Sequence, residues 1–170
     1  SVLYAGTSGG VYKSVNQGAY WQQVNHGLVP EGMVKTSRAL SVTSVQVDPF
    51  TTETVYAATL AGLYKTTDGA ASWVRIGESL QDQMIVSMVL DRARLGVMYV
   101  AARDGIHRSD DGGKSWVALN EGLATTNIRS LAQSALDPQL FYAGTNGSGL
   151  YRSTDGGAHW EALPSVFPKE

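Results

Sequence analysis

Residues 105–116 read GIHRSDDGGKSW, and the same pattern recurs three more times in the chain. From its Ser or Thr onward the copies are SVNQGAYW (Ser14–Trp21), TTDGAASW (Thr66–Trp73), SDDGGKSW (Ser109–Trp116) and STDGGAHW (Ser153–Trp160). Together they hold all 4 tryptophans of the sequence. The tryptophans advance by 52, 43 and 44 residues, and the tyrosines ahead of each copy, Tyr4, Tyr56, Tyr99 and Tyr142, by 52, 43 and 43. A period of roughly forty-odd residues carrying several strand-like runs is the length of one β-propeller blade.

Working outward from the turn, each unit parses into four strands. An inner strand leads to an Asp-containing turn: Ser41–Pro49, Ile85–Asp91 and Leu131–Pro138. Then come VYAAT, MYVAA or FYAGT, with alternating residues suited to a sheet packed on both faces. A glycine turn follows (Ser8–Gly10, Leu60–Gly62, Arg103–Gly105, Asn146–Gly149), then VYKS, LYKT, IHRS or LYRS, and after the Trp turn WQQV, WVRI, WVAL or WEAL. No helical period of comparable strength is present. The expected blades are 1–28, lacking its inner strand, 39–80, 84–123 and 128–163. Residues 29–38 form a loop insertion, within which the longer first step falls at Pro30–Arg38.

The turn residues have physical reasons. Asp, or Asn in the first copy, accepts bonds from backbone N–H groups of its own turn, and Ser or Thr adds a hydroxyl. Gly permits positive φ. Trp anchors the hairpin, and burying roughly 150–250 Å² at about 25 cal/mol/Å² gives an upper bound of about 4–6 kcal/mol. Recurrence at an equivalent place in each unit reads Asp68, Asp111 and Asp155 as scaffold, and Asp48, Asp91 and Asp137 as turn chemistry. Asn16 and Ala70 depart from the pattern, so their turns are where the geometry is expected to differ.

A chain of 170 residues is enough for one domain with a real core. Its 43% hydrophobic and 16% charged residues are those of a folded protein, and 19 glycines fit many tight turns. A net charge of -2 offers no basic footprint for nucleic acid. There is no cysteine, which removes disulfides and Cys-ligated metals. The longest apolar stretch, Met84–Leu90, is too short to span a bilayer. The N-terminus, SVLYAGT, begins inside a strand pattern, which leads us to expect further sequence upstream.

On these residues the sequence resembles the Asp-box, or BNR, repeat family. That family includes sialidases, xyloglucanases, sortilin-type receptors and photosystem II assembly factors, and the resemblance covers nearly the whole chain. It implies an all-β propeller of four-stranded antiparallel blades, here three complete blades plus three strands of a fourth, with the box turns away from the ligand face. A ring like this family's generally needs more units, so the resemblance implies additional blades or another subunit completing it. It also favours a location outside the cytoplasm. Because the family spreads one scaffold over hydrolases, receptors and assembly factors, it does not fix a function.

On that topology the glycine turns between second and third strands and the linkers into each blade gather at the ligand face. This makes Arg103, Asp104, Asn127, Arg129 and Asn146 the candidate ligand-binding residues, with Ser148 and the insertion beside them. Arg103-Asp104 is the most polar break in an otherwise small-residue turn; its plainer reading is a solvated glycine turn. No catalytic residue is assigned. The arginine-isoleucine-proline signature typical of sialidases is absent, and the repeat tyrosines read as blade packing. Arg108 and Arg152 align with Lys13 and Lys65 and read as solvated strand positions. Once the turns are set aside, Glu31, Glu53, Glu78, Asp82, Asp104, Glu121 and Glu161 offer no pair that can be placed across a cleft. His26, His107 and His159 occupy three different repeat positions, so no metal and no cofactor is expected. Two readings remain. The first is a non-catalytic scaffold or binding module presenting its loop face to a protein, with carbohydrate as a further candidate ligand. The alternative is a fragment of a sialidase- or xyloglucanase-like glycoside hydrolase.

Overall fold

The structure, a computed structural model, describes residues 1–29, 40–81 and 83–164. The insertion at Pro30–Arg38, Glu31, Asp82 and the tail beyond Pro164 lie outside the described residues. Among the described residues fifteen strands form antiparallel sheets, with a 3-10 turn at Glu78–Leu80. Sheet 1 has three strands: β1 (Leu3–Thr7), β2 (Gly10–Ser14) and β3 (Gln22–Gln23). Sheet 2 has β4 (Val42–Val47), β5 (Val55–Thr59), β6 (Gly62–Thr66) and β7 (Val74–Ile76). Sheet 3 has β8 (Ser87–Leu90), β9 (Met98–Ala102), β10 (Gly105–Ser109) and β11 (Val117–Ala118). Sheet 4 has β12 (Ile128–Gln133), β13 (Phe141–Thr145), β14 (Leu150–Ser153) and β15 (Glu161–Ala162). Within each the strands run in sequence order, and β4 lies beside β1, β8 beside β4 and β12 beside β8. This is the meander-and-stack of propeller blades, three complete and one with three strands.

The period-2 alternation of the second strand places the cores between blades. Val55 and Ala57 of β5 face the apolar cluster shared with sheet 1, while Tyr56 and Ala58 face the one shared with sheet 3. In β9, Met98, Val100 and Ala102 complete that second cluster, and Tyr99 and Ala101 begin a third with Phe141 and Ala143 of β13. Tyr99 and Phe141 meet with ring centroids 4.4 Å apart at an interplanar angle of 51°. Sheets 2 and 3 are therefore packed on both faces, and sheets 1 and 4 each on one.

The Trp turn is built as its residues dictate. Ser109 Oγ donates to Asp111 Oδ1 at 2.8 Å and accepts from the Gly113 N–H at 2.8 Å. Asp111 Oδ1 in turn accepts from the Ser115 N–H at 2.9 Å. The same bonds recur in Thr66–Asp68–Ala70–Ser72 and in Ser153–Asp155–Gly157–His159. Asn16 keeps the geometry: its Oδ1 accepts from Ser14 Oγ at 3.0 Å and from the Tyr20 N–H at 2.9 Å. Ala70 keeps it too, at φ 72 where Gly113 and Gly157 have φ 90. The two departures thus change the chemistry of the turn and not its shape. These bonds hold the Asp68 and Asp111 carboxyls well below the usual carboxylate range and lower that of Asp155. For Asp68 the largest contribution is the Thr66 hydroxyl, for Asp111 the Ser115 hydroxyl, and for Asp155 the His159 N–H.

The tryptophans rivet blade to blade. The Trp73 indole N–H donates to the Val24 carbonyl at 2.7 Å, and the Trp160 indole N–H to the Leu119 carbonyl at 3.0 Å, each in the preceding sheet. Trp116 packs against the cluster between sheets 2 and 3, although its indole N–H stays with the Gly113 carbonyl at 3.1 Å. Trp21 differs, being exposed. The basic residues ahead of the turns correct the expectation of solvated positions. Lys13, Lys65 and Arg108 lie over the rings of Tyr4, Tyr56 and Tyr99 at 5.7, 5.3 and 5.8 Å from the centroids, a cation–π arrangement.

Candidate functional site

The second-to-third strand turns are held by a repeated device. The hydroxyl of Thr7, Thr59 or Thr145, at the end of the second strand, donates to the carbonyl of Gly10, Gly62 or Gly149 and accepts a turn N–H. In sheet 3 that position is Ala102, which has no hydroxyl to offer. There the turn carries Arg103 and Asp104, and Asp104 Oδ1 lies 2.8 Å from His107 Nε2. Asn120 braces the same turn, donating through Nδ2 to the Asp104 carbonyl and accepting the Ile106 N–H. Loss of the usual Thr thus coincides with the most polar turn on this face.

Across from it runs the segment entering sheet 4. Thr125 Oγ1 accepts the Asn127 N–H at 3.1 Å, and the Asn127 carbonyl accepts the Asn146 N–H at 2.9 Å. Sequence parsing put the inner strand of this blade at Leu131 and left Arg129 in a linker. The strand instead starts at Ile128, because a bulge between Ile128 and Ser130 lets the chain continue pairing with β13. Arg129 therefore sits on β12, more rigidly placed than a linker residue.

Arg103, Asn127 and Arg129 come together around a cavity of about 310 Å³, with Thr125 and Thr126 beside them and Met84 and Val86 as its apolar wall. Asn146 is tied to Asn127 by the backbone bond and Asp104 is turned to His107, so neither lines it. Both arginines are exposed, and among the described residues neither forms an ion pair. The arrangement offers two unneutralised guanidinium groups and an amide over a small apolar floor. That can hold an anionic or polar group.

A larger cavity, about 440 Å³, opens at the opposite end of the strands beside Gln46, Asp91 and Gln133; nothing in the sequence pattern pointed to it. Its buried carboxylate is saturated. Asp91 accepts from the Ala93 and Arg94 N–H groups, from the Arg94 guanidinium at 2.6 Å and from Gln133 Nε2 at 3.1 Å. Burial alone would raise its pKa, yet these bonds together hold it below the usual carboxylate range. Asp48 and Asp137 brace the matching turns of sheets 2 and 4. Tyr56 is equally committed: burial, with the Asp48 charge second, pushes it up to about 12, away from any nucleophilic phenolate. Among the described residues no group of three or more His, Asp or Glu is placed to hold a metal ion.

Fold and face together define a β-propeller-type protein with its polar turns gathered at one end of the blades. Solved structures bear out the fold. Over 98% of its length the chain superposes on an ancestral GH74 enzyme at a TM-score of 0.79 and 25% identity, covering 23% of that chain. It superposes on the GH74 xyloglucanase from Xanthomonas campestris at 0.76 and 18% identity, covering 99% of this chain and 29% of that one. YCF48 bound to D1 peptide matches at 0.56 and 21% identity over 72% of this chain and 39% of that one. The chain thus spans well under half the length of each. No protein-family model matches it, and no curated protein does. Among the described residues no helix is long and apolar enough to cross a membrane.

Proposed function

We propose that this chain belongs to a non-catalytic propeller module, built from Asp-box repeats, that presents its loop face to a protein ligand. Arg103, Asp104, Asn127, Arg129 and Asn146 form its ligand-binding face. The observation that carries the reading is the grouping of Arg103, Asn127 and Arg129 around one cavity, with the carboxylate next to Arg103 in sequence, Asp104, turned to His107. YCF48, a propeller neighbour whose structure is bound to D1 peptide, supports a peptide as the ligand form. The module works within a larger propeller or assembly, located outside the cytoplasm.

The test is a peptide array probed with the 170-residue chain and with Arg103→Ala and Arg129→Ala variants, run beside hydrolysis assays on aryl glycosides and xyloglucan. The expected result is a set of retained peptides that either variant weakens by about tenfold, since each charge-assisted bond contributes on the order of 1.5–3 kcal/mol. No glycoside should turn over. Turnover lost on Asp104→Ala would establish instead the hydrolase reading that the GH74 neighbours raise.

A further inference from the structure

The glycine turn of sheet 4 is one residue longer than its counterparts, and the added residue leaves a reactive dipeptide open. Two residues separate Thr7 from Gly10 and Thr59 from Gly62, whereas three, Asn146, Gly147 and Ser148, separate Thr145 from Gly149. In the short turns the threonine hydroxyl accepts the N–H two residues on, from Gly9 or Ala61, at 3.0 Å. In the long turn it accepts from Ser148, three residues on, at 3.1 Å, and the Gly147 N–H is passed over. Among the described residues neither that N–H nor the Asn146 side-chain amide has a hydrogen-bond partner. Asn146, Gly147 and Ser148 are exposed, and nothing described lies within 4 Å of the place a Gly147 Cβ would take. The openness belongs to the turn and not to the end of the stack: Arg103 and Asp104, at the same place in sheet 3, are exposed with sheet 4 beside them. We propose that Asn146-Gly147 is a site of spontaneous, water-driven deamidation, which adds a carboxylate to the loop face.

The chemistry needs only this dipeptide and water. The Gly147 nitrogen, once it loses its proton to hydroxide, attacks the side-chain carbonyl carbon of Asn146, and glycine has no Cβ to obstruct the approach. A C–N bond forms, the side-chain nitrogen leaves as ammonia, and a five-membered succinimide results. Water then adds to one of the two ring carbonyls and breaks its C–N bond, which leaves an aspartyl or isoaspartyl residue at position 146. One water is consumed and one ammonia released. The other asparagines are held back by their bonds. Asn16 Oδ1 accepts from Ser14 and Tyr20, while the amides of Asn25 and Asn120 each brace a glycine turn. After Asn127 the Ile128 N–H is given to the Thr126 carbonyl at 2.8 Å. The Asn146 N–H donates to the Asn127 carbonyl at 2.9 Å, so the new carboxylate arises next to a residue that lines the cavity with Arg103 and Arg129. A charge of that sign opposes an anionic ligand there, and modification turns binding down. This consequence rests on the reading of that face as the ligand face.

The test incubates the whole chain at mildly acidic and mildly alkaline pH and maps its peptides by tandem mass spectrometry, beside a urea-unfolded sample and a variant lacking Ser148. The folded chain should gain about 1 Da at position 146 alone, faster at alkaline pH and nearly as fast as in urea, with ammonia released in equal amount. Deletion of Ser148 restores the two-residue turn, in which the hydroxyl accepts the Gly147 N–H. It should slow the gain about three- to tenfold, the protection of one net hydrogen bond. Far-UV circular dichroism establishes that this variant folds, and the comparison of folded with urea-unfolded chain stands without it. A chain modified in urea but not when folded overturns the proposal, as does a gain at another asparagine. An unchanged rate in the folded deletion variant overturns the added residue as its cause. Retention of array peptides should fall in the aged chain and in an Asn146→Asp variant, as it does in Arg103→Ala. Undiminished retention by the aged chain, with Arg103→Ala still weakened, overturns the effect on binding and spares the loop-face reading. No retention by the fresh chain overturns that reading and spares the modification.

Discussion

Tyr99 and Tyr142 occupy the same place in successive blades, facing a basic partner across the same register, yet one is sealed and the other open to solvent. Trp160 and Trp21 repeat the contrast at the other face. Local sequence builds the strand, the turn and the aromatic in both settings. What differs is the neighbour, because a blade buries its faces only against the next blade. Stability in such a stack is a sum of joints, so a residue's worth is set by its joint and not by its motif.

The largest break in that comparison comes from truncating the two tryptophans. Trp160→Ala removes a buried indole from the cluster between sheets 3 and 4 and leaves the Leu119 carbonyl without its donor. It should cost about 3–5 kcal/mol. Trp21→Ala should cost about 1 kcal/mol or less, since that exposed indole is not packed in a joint. Urea unfolding midpoints of the two variants measure the gap, and equal losses would mean that Trp21 is an anchor within its own sheet.

Acid sharpens the comparison through the turn carboxylates. Asp68, Asp111 and Asp155 are depressed in the folded chain, so each adds stability above the ordinary value of 3.8, and that contribution is lost as pH falls toward the depressed one. Asn16 does not titrate, so the turn of sheet 1 is indifferent to this window. Asp111→Asn should flatten the fall in urea midpoint below about pH 4, and Asn16→Asp should steepen it. An unchanged slope in both would mean that these exposed carboxylates keep equally good partners when unfolded.

How much of this was legible follows from what each residue answers to. The turn, the strands and the blade period answer to contacts within about one repeat, and the sequence pattern displays them; Asn16 and Ala70 looked like exceptions only because composition differs where geometry does not. The meeting of Arg103 with Asn127 and Arg129 depends on two loops from different blades, and repeat topology sufficed to put them on one face. That Arg129 lies on a strand was hidden, because a bulge shifts pairing without leaving a Gly or Pro to mark it. The cation–π placement of Lys13, Lys65 and Arg108 was also missed, although the matching register with tyrosine could have revealed it. The Asp91 cavity gave no signal, since Asp91 recurs as a turn residue and its saturation comes from Arg94 and from Gln133 on the next blade.

The smallest expected effect isolates a single methyl group at a joint. Gln17 and Ala70 are the non-glycine residues with positive φ among those described, and both sit in Trp turns, one at the open end and one buried between sheets 1 and 2. The left-handed conformation costs an L-residue roughly 1–2 kcal/mol, and glycine removes that strain while adding about 0.5–1 kcal/mol of freedom to the unfolded chain. Gln17→Gly should therefore stabilise by up to about 1 kcal/mol. Ala70→Gly gains the same relief but surrenders a buried methyl, about 1 kcal/mol more, and should be neutral to slightly destabilising. The difference between the two urea midpoints is the value of that methyl in an interior joint. If Ala70→Gly stabilised as much as Gln17→Gly, the cluster between sheets 1 and 2 would have to be loose enough to close over the gap, and the rule that each joint sets the worth of its residues would fail at its tightest turn.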